Sequence, residues 1–167
     1  PTVLGFYLLI FLGPQGSVGK LVSYLGGPSL IFSFTGLVIG SIVYSMPFVI
    51  QPLQQAFSVI DKRADETAAT IGFSRLRRFF YLFLPLSKTG YLSAFVLGFA
   101  HTLGEFGIVL MIGGNIPGET QVASISIYNY VEMLEYDKAH TLSLLLLLIS
   151  FTLLAIIYSL RIRFGRY

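Results

Sequence analysis

Few residues of this sequence could do chemistry, and two groups of them have informative spacing. His101 and Glu105 lie four apart inside an otherwise apolar stretch, 89–113. On a helix that spacing puts both on one face, where they can pair. An ionisable residue inside a membrane-length apolar run is costly and usually functional. Two readings follow: a gate or proton-sensitive latch, or a satisfied hydrogen-bonding pair at a helix interface. The second group is Asp65-Glu66-Thr67-Ala68-Ala69-Thr70-Ile71, then Gly72, then Phe73-Ser74-Arg75-Leu76-Arg77-Arg78-Phe79-Phe80. Acids open a run of good helix formers, as the helix dipole favours. Gly72 interrupts, and an amphipathic run with three arginines resumes. Leu84-Pro85 closes the segment, and proline suits the first turn of a new helix. The pattern predicts helix, glycine turn, second helix, and a membrane span starting at the proline. The plainer alternative is a juxtamembrane connector whose arginines only hold anionic lipid heads.

Covalent, metal and cofactor chemistry are not expected. Cysteine is absent, which removes disulfides and thiolate metal sites. There is no nucleophile motif or metal triad around His101 and Glu105, so an intramembrane hydrolase is a poor fit. A Gly-x-x-x-x-Gly-Lys-[Ser/Thr] phosphate loop is also missing, so ATP would be bound on another chain. The 25 Phe and Tyr side chains, 15 and 10, read as packing and interface anchors.

The elements that must position these residues are membrane helices. The 167 residues are 54% hydrophobic and 11% charged, with mean hydropathy +0.77. A soluble domain carries about 25% charge, so too little remains here to coat a water-exposed surface. About 20 apolar residues cross a bilayer core. Residues 1–19 are uncharged, and so are 21–60, with a span expected near 30–52. Further spans are expected at 89–113 and 141–160. Leu, Phe and Gly mix without the alternation that β-barrel strands require. The expected fold is therefore all-α, a polytopic transmembrane helical bundle with about four spans.

Nine of the eleven Lys and Arg fall in two clusters: Lys62, Arg63, Arg75, Arg77, Arg78 and Lys88, then Arg161, Arg163 and Arg166. The positive-inside rule places both clusters, and the C-terminus, in the cytoplasm. Two spans lie between them, as that placement requires. The connector between those spans carries Glu119, Glu132, Glu135 and Asp137 against Lys138 alone. It reads as an outside loop, with Tyr128 and Tyr130 able to seat a short amphipathic helix at the outer interface. Gly13-Pro14-Gln15-Gly16 and Gly26-Gly27-Pro28 mark a second outside loop at about 13–29. Pro1 opens directly into Val3-Leu4-Gly5-Phe6-Tyr7 with no basic n-region. No signal peptide is expected, and the chain reads as a C-terminal fragment cut inside a membrane region.

The spacing of Glu66, Ala68, Gly72, Leu84 and Pro85 resembles the EAA loop of ABC importer permeases. Thr67 stands where that loop usually has alanine, a small change on a short side chain. The resemblance implies a type I importer fold over 1–167 and a cytoplasmic coupling loop at about 59–88 that docks on an ATPase subunit. More narrowly, Gly104-Glu105-Phe106-Gly107 and Asn115-Ile116-Pro117-Gly118-Glu119-Thr120 are similar to molybdate ABC transporter permeases. Pro1 to Gly5, Gly13 to Gly19 and Ser45-Met46-Pro47-Phe48 match earlier segments of the same family. Tungstate and sulfate permeases share the architecture and the loop. The resemblance implies a homodimeric permease in a bacterial or archaeal cytoplasmic membrane, two ATPase copies and an extracytoplasmic molybdate-binding protein, with no nucleic-acid partner. It also makes His101, Gly104, Glu105, Phe106 and Gly107 candidate pore or gate residues.

A channel or passive anchor subunit is the alternative from another class, though neither needs a two-helix loop in that register. No Lys or Arg occurs between Lys88 and Lys138. Tight oxyanion sites use backbone N–H groups, hydroxyls or Arg. With hydroxyls and glycine amides only, the two later spans are expected to give a weak gated path and leave selectivity to the binding protein. A bare carboxylate facing such a path would repel a dianion, which favours the interface reading of the His101–Glu105 pair.

Overall fold

The computed structural model describes residues 1–164, with side chains described as far as Ser159; Arg161, Arg163 and Arg166 therefore lie outside the described side chains. Every regular element among the described residues is helical. Helix α1 (Thr2–Leu12) is followed by α2 (Ser17–Tyr24), and α3 (Phe34–Ser58) is a long span with Pro47 and Pro52 inside it. Next come α4 (Lys62–Thr70), α5 (Arg75–Arg78), a π-helical turn over Phe79–Phe83, and α6 (Leu84–Leu86). The remaining helices are α7 (Lys88–Leu103), α8 (Gly107–Gly113), α9 (Ala123–Glu132) and α10 (Tyr136–Phe164).

By length and composition, three stretches can cross a membrane: Thr2–Tyr24, Phe34–Ser58 and Tyr136–Ser159. A fourth is the pair Arg75–Leu86 and Lys88–Leu103, bent by 71° at the break between them. Three to four spans agree with the expected all-α polytopic bundle, and helices are what a lipid-facing backbone requires. The most apolar stretch, Tyr136–Ser159, has mean hydropathy 2.5 and buries none of its most apolar window. Its surface suits lipid.

Three expectations need correction. The run 89–113 is not one helix: α7 stops at Leu103, Gly104 to Phe106 are non-helical, and α8 restarts at Gly107. The next span also does not start at Pro85, which ends up in the short α6; the break falls at Ser87 and α7 begins at Lys88. Finally, the stretch expected as an outside loop at 13–29 contains α2. A Cβ on Gly16 would strike the carbonyls of Ile10 and Phe11, and one on Gly19 that of Gly13. Those two glycines let the backbone of α2 fold back onto the end of α1.

The described chain forms two compact units. The first comprises residues 1–46 and 100–150. Its core holds Leu37, Val109 and Ile125, with Phe106, Leu110 and Val122 packed against them. Gly36 and Gly40 of α3 face Ile112, and Gly40 also faces Ile108. The second comprises residues 47–99 and the chain from Phe151. There Phe57, near the end of α3, packs its ring at 6.5, 6.4 and 6.0 Å from those of Phe79, Phe83 and Tyr91.

Candidate functional site

The 59–88 segment folds as two short helices joined at Gly72, as its spacing predicts. Asp61 caps α4, accepting from the Arg63 N–H at 2.9 Å, and Ser74 caps α5, accepting from the Arg77 N–H at 3.3 Å. Such side-chain caps satisfy N–H groups that a short helix would otherwise leave open. Between the helices, the Phe73 N–H donates to Ala68 O and the Gly72 N–H to Ala69 O, each at 3.0 Å. That is the paired closure of a Schellman turn, which needs a left-handed residue after the helix. Gly72 supplies it with φ +86°, and nothing crowds the space its missing side chain would fill. The backbone angle alone demands glycine here.

The second helix is tied back to the first. Arg78 Nη1 donates to Asp65 Oδ1 at 2.7 Å. Arg77 instead lies over the Phe73 ring, 4.4 Å from its centroid, with Tyr81 at 5.8 Å. Glu66, Gly72, Leu84 and Pro85 are exposed, whereas Ala68 is buried. The helix pair therefore offers a rigid outer surface with Glu66 and Gly72 on it. Leu76, 73% exposed, and Ile71, 67% exposed, add apolar area to the same surface.

The other candidate residues lie at the break that ends α7. His101 Nδ1 is 3.2 Å from Ser45 Oγ, and the Ser45 hydroxyl is 2.8 Å from Thr102 Oγ1. The Tyr44 ring packs on the imidazole at 4.6 Å. The expected His101–Glu105 pair is not formed, because the helix that would align them ends at Leu103. Glu105 is buried, 4% exposed, and neither carboxylate oxygen has a hydrogen-bond partner among the described residues. The Ser41 hydroxyl lies near it but is also buried without a hydrogen bond. The backbone around it is fixed: Ser124 donates its hydroxyl to Glu105 O, and Phe106 packs on Tyr128 at 5.0 Å. Gly104 is exposed at the turn, and Gly107 starts α8 against Pro1 and Thr2.

The neighbouring 114–120 loop is folded around Thr120. That hydroxyl donates to Gly113 O and accepts from the Ile116 N–H at 3.0 Å. Gly114, Asn115 and Gly118 take positive φ values of 71°, 55° and 77°. Sequence reasoning singled out this stretch but missed Ser41, the hydroxyl pairs of Ser45 and Thr102, and the Ser124 anchor. Ser41 and Ser45 are four apart on α3, the only signal that could have marked a polar stripe there. Among the described residues no cluster of His, Asp and Glu could hold a metal ion.

A helical chain with three to four candidate spans joined by a two-helix connector is a polytopic membrane protein in type. The family described as "Binding-protein-dependent transport system inner membrane component" matches residues 1–164, and the chain belongs to it. It is 50% identical, over 96% of its length, to the Azotobacter vinelandii "Molybdenum transport system permease protein ModB", covering 71% of that protein. It is 39% identical over 79% of its length to the Haemophilus influenzae protein of the same name, covering 58% of it. It is also 36% identical over 93% of its length to a Chlorella vulgaris "Probable sulfate transport system permease protein cysT", again covering 58%. The chain thus spans between 58% and 71% of the length of these relatives.

Proposed function

We propose that this chain is the translocating subunit of an ATP-driven importer for molybdate in a bacterial or archaeal cytoplasmic membrane. It would pair with a second permease copy, two cytoplasmic ATPase subunits and an extracytoplasmic molybdate-binding protein. The observation that carries the reading is the 50% identity, over 96% of the chain, to a molybdenum transport permease. The Schellman-closed loop supports the ATPase-facing part of it. A chain that only conducts ions passively has no need for a rigid cytoplasmic helix pair. Sulfate is the second anion in view, because a probable sulfate permease is 36% identical over 93% of the chain. Tungstate stays a third.

In this reading the loop at 59–88 receives the movement of the ATPase, with Glu66 and Gly72 on the docking face. The Arg78–Asp65 ion pair and the Phe57 aromatic contacts make α4 and α5 move as one body with the end of α3. The break at Ser87, one residue before α7, lets that body tilt without unwinding the span. The long helix α3 holds no Lys or Arg, and none occurs between Lys88 and Lys138, so a path along these helices offers hydroxyls such as Ser45 and Thr102. Hydroxyls bind a dianion weakly compared with arginines, which suits a path that must release its cargo. Selectivity then sits on the binding protein. The test is ATP hydrolysis by the full purified complex, with its binding protein, against molybdate, tungstate and sulfate. Stimulation by molybdate at the lowest concentration is expected; stimulation by sulfate alone would reassign the substrate.

A further inference from the structure

The second compact unit contains a cavity that the coupling role does not use. It has a volume of about 330 Å³ and is lined by Phe57, Asp65, Arg75, Arg78, Phe79 and Phe83. Half of the lining is charged and half is aromatic. Arg78 is held by Asp65 through Nη1 alone, and its Nε is buried without a partner. Arg75 makes no ion pair among the described residues and is exposed. The lining therefore has two guanidinium groups against one carboxylate that one of them already neutralises. The rest of the lining is three phenylalanine rings from the last turns of a membrane-length helix and from the π-helical turn. Its place is next to Ser58, the end of the α3 span, where the bilayer surface must lie if α3 crosses the membrane.

We propose that this cavity is a binding site for an anionic phospholipid, with the phosphate at the Arg75 and Arg78 guanidinium groups and the start of an acyl chain against Phe57, Phe79 and Phe83. Charge complementarity and the three rings beside the arginines in the lining favour an amphiphile over a free anion, which would leave the rings uncovered. Basic pockets beside spans on the cytoplasmic side are suited to anionic head groups. A phosphate shared by both guanidinium groups would tie α5 more firmly in place, and so stiffen the loop that carries Glu66 and Gly72. The proposal rests on the cytoplasmic placement of the 59–88 loop, but its test does not.

The full permease–ATPase complex is placed in phosphatidylcholine nanodiscs doped with phosphatidylglycerol, and retained lipids are counted by native mass spectrometry. One phosphatidylglycerol kept per permease chain is expected, and Arg75→Gln should weaken its retention about fivefold, the effect of one arginine near an anionic head group. Arg78→Gln should weaken it at least as much. Arg77→Gln is the control, because that guanidinium sits on Phe73 and Tyr81 outside the cavity; retention should not change. Equal loss in all three variants, or no preference over phosphatidylcholine, would overturn the site. Displacement of the lipid by inorganic phosphate would show that the rings contribute nothing, and a free anion would replace the lipid as occupant. Failure of lipid retention with transport intact removes this site alone and leaves the permease reading standing.

Discussion

Glu105 is the most costly side chain at the break that ends α7. A buried carboxylate without a hydrogen bond is unfavourable, and here both oxygens lack one among the described residues. Its backbone is pinned by Ser124 and by the Phe106–Tyr128 contact, so the side chain adds nothing to local order. Glu105→Gln should therefore leave thermal unfolding in detergent unchanged or slightly raised, while molybdate uptake falls. Loss of stability in that variant would mean the carboxylate finds a partner in the assembled complex, and the interface reading would return. Ser45 is the converse case, with hydroxyl contacts to His101 and Thr102. Hydrogen bonds between membrane helices average about 0.6 kcal/mol. Ser45→Ala should cost about 1 kcal/mol by that measure, too little to unfold the chain, and a thermal melt against wild type checks it.

At the scale of elements, the loop was legible and the break was not. The glycine turn at Gly72 is decided within a few residues, so spacing predicted it; the Asp61 and Ser74 caps are equally local but were not singled out in the sequence. The end of α7 is different. Residues 89–113 read as one apolar run, and nothing in their hydropathy marks Gly104 to Phe106. The helix stops there because Ser124 and Tyr128, some twenty positions on, take the Glu105 carbonyl and the Phe106 ring. The same holds for α2, which depends on glycines of one helix meeting carbonyls of another. Gly72→Ala would force a Cβ into φ +86°, at about 1–2 kcal/mol for a left-handed non-glycine residue. Gly72→Val, being β-branched, should cost more and misalign α5. That variant, and charge reversal by Glu66→Lys, should leave the protein inserted yet abolish uptake and loosen ATPase co-purification. Normal uptake in both would remove the coupling role.

For the whole molecule, the span count and the charge bias were readable because both are sums over many residues. Individual span limits were not: α3 runs to Ser58 rather than ending near 52, and α10 begins at Tyr136 rather than at 141. Those ends are set by caps and packing, which hydropathy does not report. In the proposed orientation basic clustering sets the sidedness, so adding Arg within the 119–137 connector should oppose it and lower the yield of correctly inserted protein. Protease protection of membrane vesicles reads that yield.

The sidedness of the loop at 59–88 decides whether it can meet an ATPase at all. Cysteine is absent from the sequence, so a single introduced thiol reports its own position. Ile71, at 67% exposed and beside Gly72, is a suitable place, and Glu119 is the reference on the opposite connector. Ile71→Cys should resist an impermeant maleimide added to intact cells and react once the membrane is opened, whereas Glu119→Cys should react from outside directly. Labelling of Ile71→Cys in intact cells would invert the orientation and contradict the coupling of this chain to a cytoplasmic ATPase.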